Sequence, residues 1–414
     1  MKQKNSVLFH VTEFGQRVSK SVMDLIGIIS KPRLKVALIS YHYQKPTISG
    51  VGIHVQNLAK YLTKHNCNVH VFCSGEEDAI YKEGNVIVHT IGRIHIPLED
   101  EFSRKRLIYD IFESEIVKEI TRENSRKRFD IIHTHGTLTK SAFIIKKVYG
   151  IKWVHTFHSI EKLRVKKLSD EEKHFADLIS WIERTVNHCD GAIFVSKELM
   201  DECVKHYRMK SKIMIPNGID LELFSYYPIT KKNVLFVGRF SKEKGVGILP
   251  ELITNVMSVK DATFTIVSPH REKLEGEGEL SKIKKLIDKQ KKLFEERLTV
   301  IERLNEQEFI GKLYRECQVY IQPSKYESFG LCILEAMATG RPVVAFKVGG
   351  IPEVIGNAGF AVKDKKELIY KVKELLNDKK QSIIVGRKAS QRAKGFDWNV
   401  IAKKTIKYYE EVGK

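Results

Sequence analysis

The sequence predicts an α/β protein built from two doubly wound (Rossmann-like) parallel-sheet domains that face one another across a cleft. Short β-branched runs alternate with amphipathic segments, and this alternation stops once and then restarts. The length of 414 residues also favours two domains over one core. Because such sheets bind ligands at the carboxyl ends of their strands, we expect the site between the two sets of strand ends.

Composition restricts the function classes. The chain is 42% hydrophobic and 29% charged, with a net charge of +20. Such a charge suits an anionic substrate, an anionic membrane surface or nucleic acid, but no nucleic-acid recognition motif accompanies it, so nucleic acid is not expected. Six scattered cysteines without a C-x-x-C pair indicate reduced thiols and no zinc or redox site. We expect a cytoplasmic protein, with association at the cytoplasmic face of a membrane left open.

Residues 1–33 form an N-terminal extension before the first predicted strand. Asp24 interrupts its apolar stretch and no small-residue cleavage site follows, so a signal peptide is not expected. The helical spacing of its apolar residues predicts a helix, which either packs on the body or forms an amphipathic segment for a membrane or a second copy. The apolar residues at this spacing are Val18, Val22, Leu25, Ile26 and Ile29.

The first domain is predicted over residues 34–225 and is expected to bind the acceptor. Its strands are predicted at 34–40, 68–74, 85–90, 129–136, 151–159, 191–196 and 212–216. Its helices are predicted at 50–64, about 104–124, 138–150 and within 169–188.

Residues 217–232 contain Asn-Gly and a proline without apolar periodicity, which predicts the linker and a hinge. A second domain is predicted over 226–397, followed by a C-terminal helix at 398–414 that is expected to cross back to the first domain. The strands of the second domain are predicted at 233–239, 262–268, 298–302, 318–324 and 341–346. Its helices are predicted at 245–258, 278–292, 305–316, 329–339 and from 365 onward.

Two carboxylates stand eight positions apart in the apolar stretch YESFGLCILEAMATGRPVV. Glu327 is predicted in a loop after a strand, and Ser328 is predicted to cap a helix that holds Glu335 about two turns in. An ionised carboxylate in so apolar a helix is costly unless it is hydrogen-bonded. Sugar or ribose hydroxyls are suitable donors, and the alternative for Glu335 is a structural acid paired with a lysine or the backbone.

Groups suited to phosphate accompany the acids. Arg239 and Lys244 follow the first strand of the second domain, where their charges suit a diphosphate. The amides at the predicted helix start, Phe329, Gly330 and Leu331, offer free N–H donors. The alternative for the segment GRFSKEKG is a solvated basic loop.

A glycine-rich turn, ISGVGIHV, joins a strand to a helix in the first domain. Gly50 and Gly52 would allow close approach of backbone to a phosphate. The turn lacks the third glycine of a dinucleotide-binding fingerprint, so it is weak evidence by itself.

Taken together, these segments resemble the retaining nucleotide-sugar glycosyltransferases of group 1 (family 4), which have the two-domain GT-B fold. The motifs are ESFGLCILE, AMATGRPVVAFKVGGIPEVI, GRFSKEKG, IPNGID and SGVGIHV. The resemblance covers the chain from about Leu34 to its end and is most specific in the second half.

The resemblance implies a role for each candidate residue. Glu327 would bind hydroxyls of the donor sugar, Glu335 the ribose, and Arg239 and Lys244 the diphosphate. His158, in VHTFHS, matches the family histidine that faces the donor sugar at a strand end. His158, Glu327, Arg239 and Lys244 are therefore the catalytic candidates, and Gly50, Gly52, Phe329, Gly330 and Leu331 complete the donor site.

The resemblance also implies the partners. The donor is a nucleoside diphosphate sugar, and the acceptor is a hydroxyl of a sugar, sugar phosphate, glycan or lipid-linked molecule. Neither a cofactor nor a metal is expected, because the family's basic groups neutralise the diphosphate and no D-x-D motif is present. His133, His135, His155 and His174 lie near His158 in the sequence, so metal binding is conceivable, but alternate residues of a strand point to opposite faces and only His133 and His135 could share one.

Two segments depart from the simplest family pattern. The lysine-rich stretch 158–173 is similar to the loop of sucrose-phosphate-synthase-like members, and the G-x-G that usually follows the second strand of the later domain is altered in residues 265–280, which leaves base recognition open. The alternatives are a nucleotide-sugar epimerase or sugar phosphorylase of the same architecture, or a basic membrane- or nucleic-acid-binding scaffold that does not need Glu327.

Overall fold

The computed structural model describes residues 33–44, 49–160, 183–268, 278–302 and 306–414. The predictions for the N-terminal extension, for most of the helix within 169–188 and for the lysine-rich loop after Ile160 therefore lie outside the described residues, as does the start of the charged tract that follows Ser268. Within the described ranges, no helix combines the length and hydropathy needed to cross a bilayer.

Two parallel sheets with alternating helices form the described protein, which confirms the predicted fold class. The strands are β1 Lys35–Ile39, β2 Asn68–Ser74, β3 Ala79–Glu83, β4 Val86–Ile91, β5 Ile131–His135, β6 Lys152–Phe157, β7 Gly191–Phe194, β8 Lys212–Met214, β9 Asn233–Val237, β10 Thr263–Ser268, β11 Leu298–Glu302, β12 Val319–Gln322, β13 Val343–Phe346 and β14 Phe360–Val362. The α-helices are α1 Gly50–Lys64, α2 Glu101–Arg126, α3 Lys140–Tyr149, α4 Lys197–Cys203, α5 Leu249–Met257, α6 Glu279–Phe294, α7 Gln307–Glu316, α8 Leu331–Ala338, α9 Ile351–Ile355, α10 Lys365–Asn377, α11 Lys379–Ala393 and α12 Trp398–Gly413.

The described strands pair in two separate sheets. The first has the order β3-β4-β2-β1-β5-β6-β7-β8, and the second has the order β11-β10-β9-β12-β13-β14. All the pairings are parallel except β3 with β4. The central strands β1 and β9 are buried along their whole length, because helices cover both faces of each sheet.

The sequence prediction misses short elements. The edge strand β3 is mostly polar and exposed, so its pattern resembles a loop. The helices α4 and α9 and the strand β14 are only 7, 5 and 3 residues long, too short for apolar periodicity to develop.

The segments that connect the two domains run side by side. The Ile219 amide donates to the Phe396 carbonyl at 2.8 Å, and the Trp398 amide donates to the Ile219 carbonyl at 3.4 Å. Gly218 leaves room for the Trp398 ring, since a Cβ at this glycine would lie 2.4 Å from it.

The last helix, α12, packs on the first domain against α1. Its Trp398 and Tyr409 are buried in the core of that domain, and the Tyr409 hydroxyl is hydrogen-bonded to His133 Nδ1 at 2.6 Å. The end of the chain is thereby anchored on the first sheet after a complete second domain.

Candidate active site

A cleft of about 650 Å³ lies between the carboxyl ends of the two sheets. Nine of the ten predicted site residues line it: Gly50, His158, Arg239, Lys244, Glu327, Phe329, Gly330, Leu331 and Glu335. Gly52 is the exception, since it is buried in the first turn of α1 and is not part of the cleft wall.

The walls of the cleft approach closely where two helices begin. Gly50 opens α1 in the first domain and Leu331 opens α8 in the second. A Cβ added to Gly50 would lie 3.4 Å from Leu331 Cδ1, which is van der Waals contact, so the two helix starts are close neighbours. Both helix N-termini therefore face the same space, which suits an anionic ligand.

The loop carrying Lys244 is packed on the loop after β12. Gly245 has φ 70°, and a Cβ there would come within 1.7 Å of the Pro323 carbonyl oxygen. The Lys325 amide donates to the Glu243 carbonyl at 2.8 Å. These backbone contacts hold the basic loop against the segment that carries Glu327.

Lys244 and Glu327 form an ion pair in the cleft. Lys244 Nζ donates to Glu327 Oε2 at 2.6 Å, and both side chains are more than four-fifths buried. Burial lowers the pKa of the Lys244 amine, but the charge and hydrogen bond of Glu327 outweigh this and raise that pKa overall. The Lys244 amine therefore stays charged, and both side chains line the same cleft.

Arg239 provides a second positive charge. Its side chain is 45% exposed, and its nearest acidic partner, Glu243, lies at 3.4 Å. Since this ion pair is long and half-exposed, the guanidinium can reorient toward an anion in the cleft at little cost.

The helix α8 begins later than predicted. Gly330, with φ 100°, occupies the cap position, and the Ser328 hydroxyl bonds to the Tyr326 hydroxyl instead of capping the helix. The Ile333 amide is the first to bond back, to the Gly330 carbonyl. The amides of Phe329, Gly330 and Leu331 therefore precede the helical hydrogen bonds.

Glu335 lies one turn into α8 and is 7% exposed. Its Oε2 accepts a hydrogen bond from the Tyr314 hydroxyl at 2.9 Å. Burial raises the pKa of the Glu335 carboxyl to about 7, and the bond from Tyr314 opposes part of this rise. Among the described residues, the side chain that donates to this acid is a tyrosine and not the lysine or backbone group of the structural alternative.

His158 follows β6 and belongs to a group of buried histidines. Its Nε2 lies 3.2 Å from His135 Nδ1, and its ring packs edge-on against His54, with 4.7 Å between centroids. Burial, followed by the charge of His54, lowers the pKa of His158 well below 6.5, so the ring is neutral at neutral pH.

Several residues that matter to the site carried no assigned role in the sequence. Gly349 and Gly350 press against the backbone of Glu327 and Ser328, where added Cβ atoms would lie 1.8 Å and 2.3 Å from the two carbonyl oxygens. Both glycines occur in the motif KVGGIPEVI, which was a usable signal. Tyr314 gave no such sequence signal, because an aromatic residue on an amphipathic helix usually packs in the hydrophobic core.

Known families match both halves of the chain. Residues 48–223 match the model described as Glycosyltransferase Family 4, and residues 231–378 match the model described as Glycosyl transferases group 1. The chain belongs to the group 1 glycosyltransferases. It is a hexosyltransferase with the GT-B fold, which transfers a sugar from a nucleotide sugar.

Similar proteins cover nearly the whole glycosyltransferase. An uncharacterized glycosyltransferase of Methanocaldococcus jannaschii is 28% identical over 388 residues, which are 92% of this chain and 99% of that protein. Sucrose-phosphate synthase from Thermosynechococcus elongatus superposes with a TM-score of 0.76 at 22% identity, covering 92% of this chain and 99% of that one. Anabaena HepE in complex with UDP-glucose has a TM-score of 0.67 at 18% identity, covering 92% and 100%.

Proposed function

We propose that this glycosyltransferase transfers a hexosyl group from a nucleoside diphosphate sugar to a hydroxyl acceptor, with retention at the anomeric carbon and without a metal ion. The observation that carries the proposal is the meeting of Lys244, Arg239, the start of α8, Glu327 and Glu335 on one cleft wall. The structural neighbour HepE binds UDP-glucose, which supports a donor of this class.

The diphosphate is expected beside Lys244 and Arg239. Lys244 is a point charge held at 2.6 Å from Glu327, and Arg239 can offer a fork of donors. The amides of Phe329, Gly330 and Leu331 add donors at the positive end of α8. These groups face the place where negative charge grows as the diphosphate leaves, which is the largest source of stabilisation available here.

The two acids bind hydroxyl groups on either side of the diphosphate. Glu327 Oε2 is occupied by Lys244, and the rest of the carboxylate can accept from hydroxyls of the donor sugar. Glu335 accepts from Tyr314 on one oxygen and can take the ribose hydroxyls on the other. The ribose then supplies the hydrogen bonds that a buried carboxylate needs.

Retention follows from attack on the same face that the diphosphate leaves. The bond from the anomeric carbon to the diphosphate oxygen breaks, and a bond to the acceptor oxygen forms. The acceptor proton passes to an oxygen of the departing diphosphate, so no enzyme carboxylate becomes bonded to the sugar. Glu327 suits a binding role better than a nucleophilic one, because its carboxylate is already paired with the Lys244 amine.

The test begins with thermal stabilisation by a panel of nucleotide sugars, followed by transfer assays with the best donor. NMR of the product should show the anomeric configuration of the donor. An inverted product refutes retention, and consumption of inorganic phosphate or isomerisation without an acceptor would instead indicate a phosphorylase or an epimerase.

A further inference from the structure

Three histidines from separate elements meet at the cleft wall. They are His54 of α1, His135 at the end of β5 and His158 after β6. One ring nitrogen of each lies within 4.8 Å of one ring nitrogen of the other two. His135 and His158 also line the cleft itself, and His158 is partly exposed, whereas His54 and His135 are buried.

Hydrogen bonding leaves ligand atoms available. His54 Nδ1 lies 2.8 Å from Asn217 Oδ1, which can only accept, so Nδ1 carries the proton and Nε2 keeps a lone pair. An imidazole whose other nitrogen donates to an oxygen is the usual arrangement of a metal-bound histidine.

His135 is incompletely satisfied. It is 1% exposed, and its Nε2 is buried without a hydrogen-bond partner among the described residues. Its Nδ1 is hydrogen-bonded to His158 Nε2 at 3.2 Å, a bond that a cation held between the two nitrogens would replace. With zinc–nitrogen bonds of about 2.0–2.1 Å, tetrahedral ligand nitrogens lie roughly 3.4 Å apart, so this pair already has a suitable spacing.

A second group of potential ligands provides a comparison. His70, His89 and Glu123 also lie within reach of one another. Glu123, however, is paired with Arg126 at 2.7 Å, and burial followed by the charge of Lys35 lowers the pKa of His70. These fixed cations oppose a further positive ion.

We propose that His54, His135 and His158 bind one divalent cation of the zinc class, with the remaining coordination position facing the cleft. Three imidazoles with one open position form a known zinc arrangement. The cation would occupy the wall that His158 presents to the donor sugar, so it competes with the donor. The competition with the donor rests on the proposed function, whereas the binding of the cation is independent of it.

The test is equilibrium dialysis of the chelator-treated full chain against buffered Zn²⁺. We expect one zinc per chain, and at least a tenfold weaker affinity in His54→Gln and in His158→Gln. His70→Gln is the matched control and should bind zinc as the wild type does. Circular dichroism of each variant shows that it is folded, and Co²⁺ in place of zinc should give the visible spectrum of a tetrahedral site.

Several results of these experiments would overturn the inference or part of it. Absence of stoichiometric zinc, binding that survives both variants, or an equal loss in the His70 control contradicts the site. Zinc that binds but leaves thermal stabilisation by the nucleotide sugar unchanged contradicts the competition. A chain that binds zinc but transfers no sugar from any donor refutes the proposed function and leaves the cation site standing.

Discussion

Replacing Glu335 by glutamine should stabilise the fold above neutral pH while weakening donor binding. Glu335 is buried in α8, and burial raises the pKa of its carboxyl from 4.5 to about 7. In the unfolded chain the carboxyl ionises near its ordinary value, so between pH 4.5 and 7 the folded chain binds the extra proton. The free energy of unfolding therefore decreases as the pH rises through this window.

The size of the effect follows from the two pKa values. One pKa unit corresponds to about 1.4 kcal/mol, so the change from 4.5 to about 7 is worth roughly 3 kcal/mol once the pH exceeds 7. Glutamine has the shape of the protonated acid, and its carbonyl can accept from Tyr314, but it never ionises. The gain in stability should be roughly 2–3 kcal/mol larger at pH 8 than at pH 5.

Thermal and urea unfolding of both proteins at pH 5 and pH 8 measure this difference. Glu308→Gln, at an exposed site on α7, is the matched control. Donor affinity should decrease about tenfold or more in Glu335→Gln, because a charge-assisted hydrogen bond to the ribose is lost. If Glu335→Gln gains the same unfolding free energy at pH 5 and pH 8, or gains none at pH 8, the reasoning is refuted.

The remaining predictions concern the donor site. Arg239→Ala should lower kcat by about 10²–10³, which is the range for removing one group that stabilises a developing charge. Lys242→Ala is the control and should not change the rate, because the Lys242 amine pairs with Glu279 at 2.8 Å. Glu327→Ala should abolish transfer while circular dichroism stays native; undiminished turnover in both this variant and Arg239→Ala refutes the assigned site. Gly245→Ala should lower Tm by several degrees and weaken donor binding, because φ 70° and the Pro323 carbonyl leave no space for a Cβ, and an unchanged Tm would contradict this. Treatment with EDTA should leave turnover unchanged or raise it, and a loss that added cation restores would show that transfer needs a metal.

Local patterns in the sequence were sufficient for the architecture. β-branched runs and amphipathic segments predicted most of the strands and helices of both sheets, since a doubly wound fold buries its central strands on both faces. The spacing of Glu327 and Glu335, and the basic loop before them, indicated a donor site from residues near one another in sequence. The helix start was wrong by two residues, because Gly330 can adopt φ 100° and Ser328 bonds elsewhere.

What the sequence determined by itself was the fold class, the family resemblance and the candidate residues, because these depend on periodicity and on short motifs. Only the tertiary structure decided which groups meet. The partner of Glu335 is Tyr314, 21 positions away, and His54, His135 and His158 come from three different elements. Such contacts depend on how helices and strands that are distant in sequence pack together, and a local sequence pattern does not encode that packing.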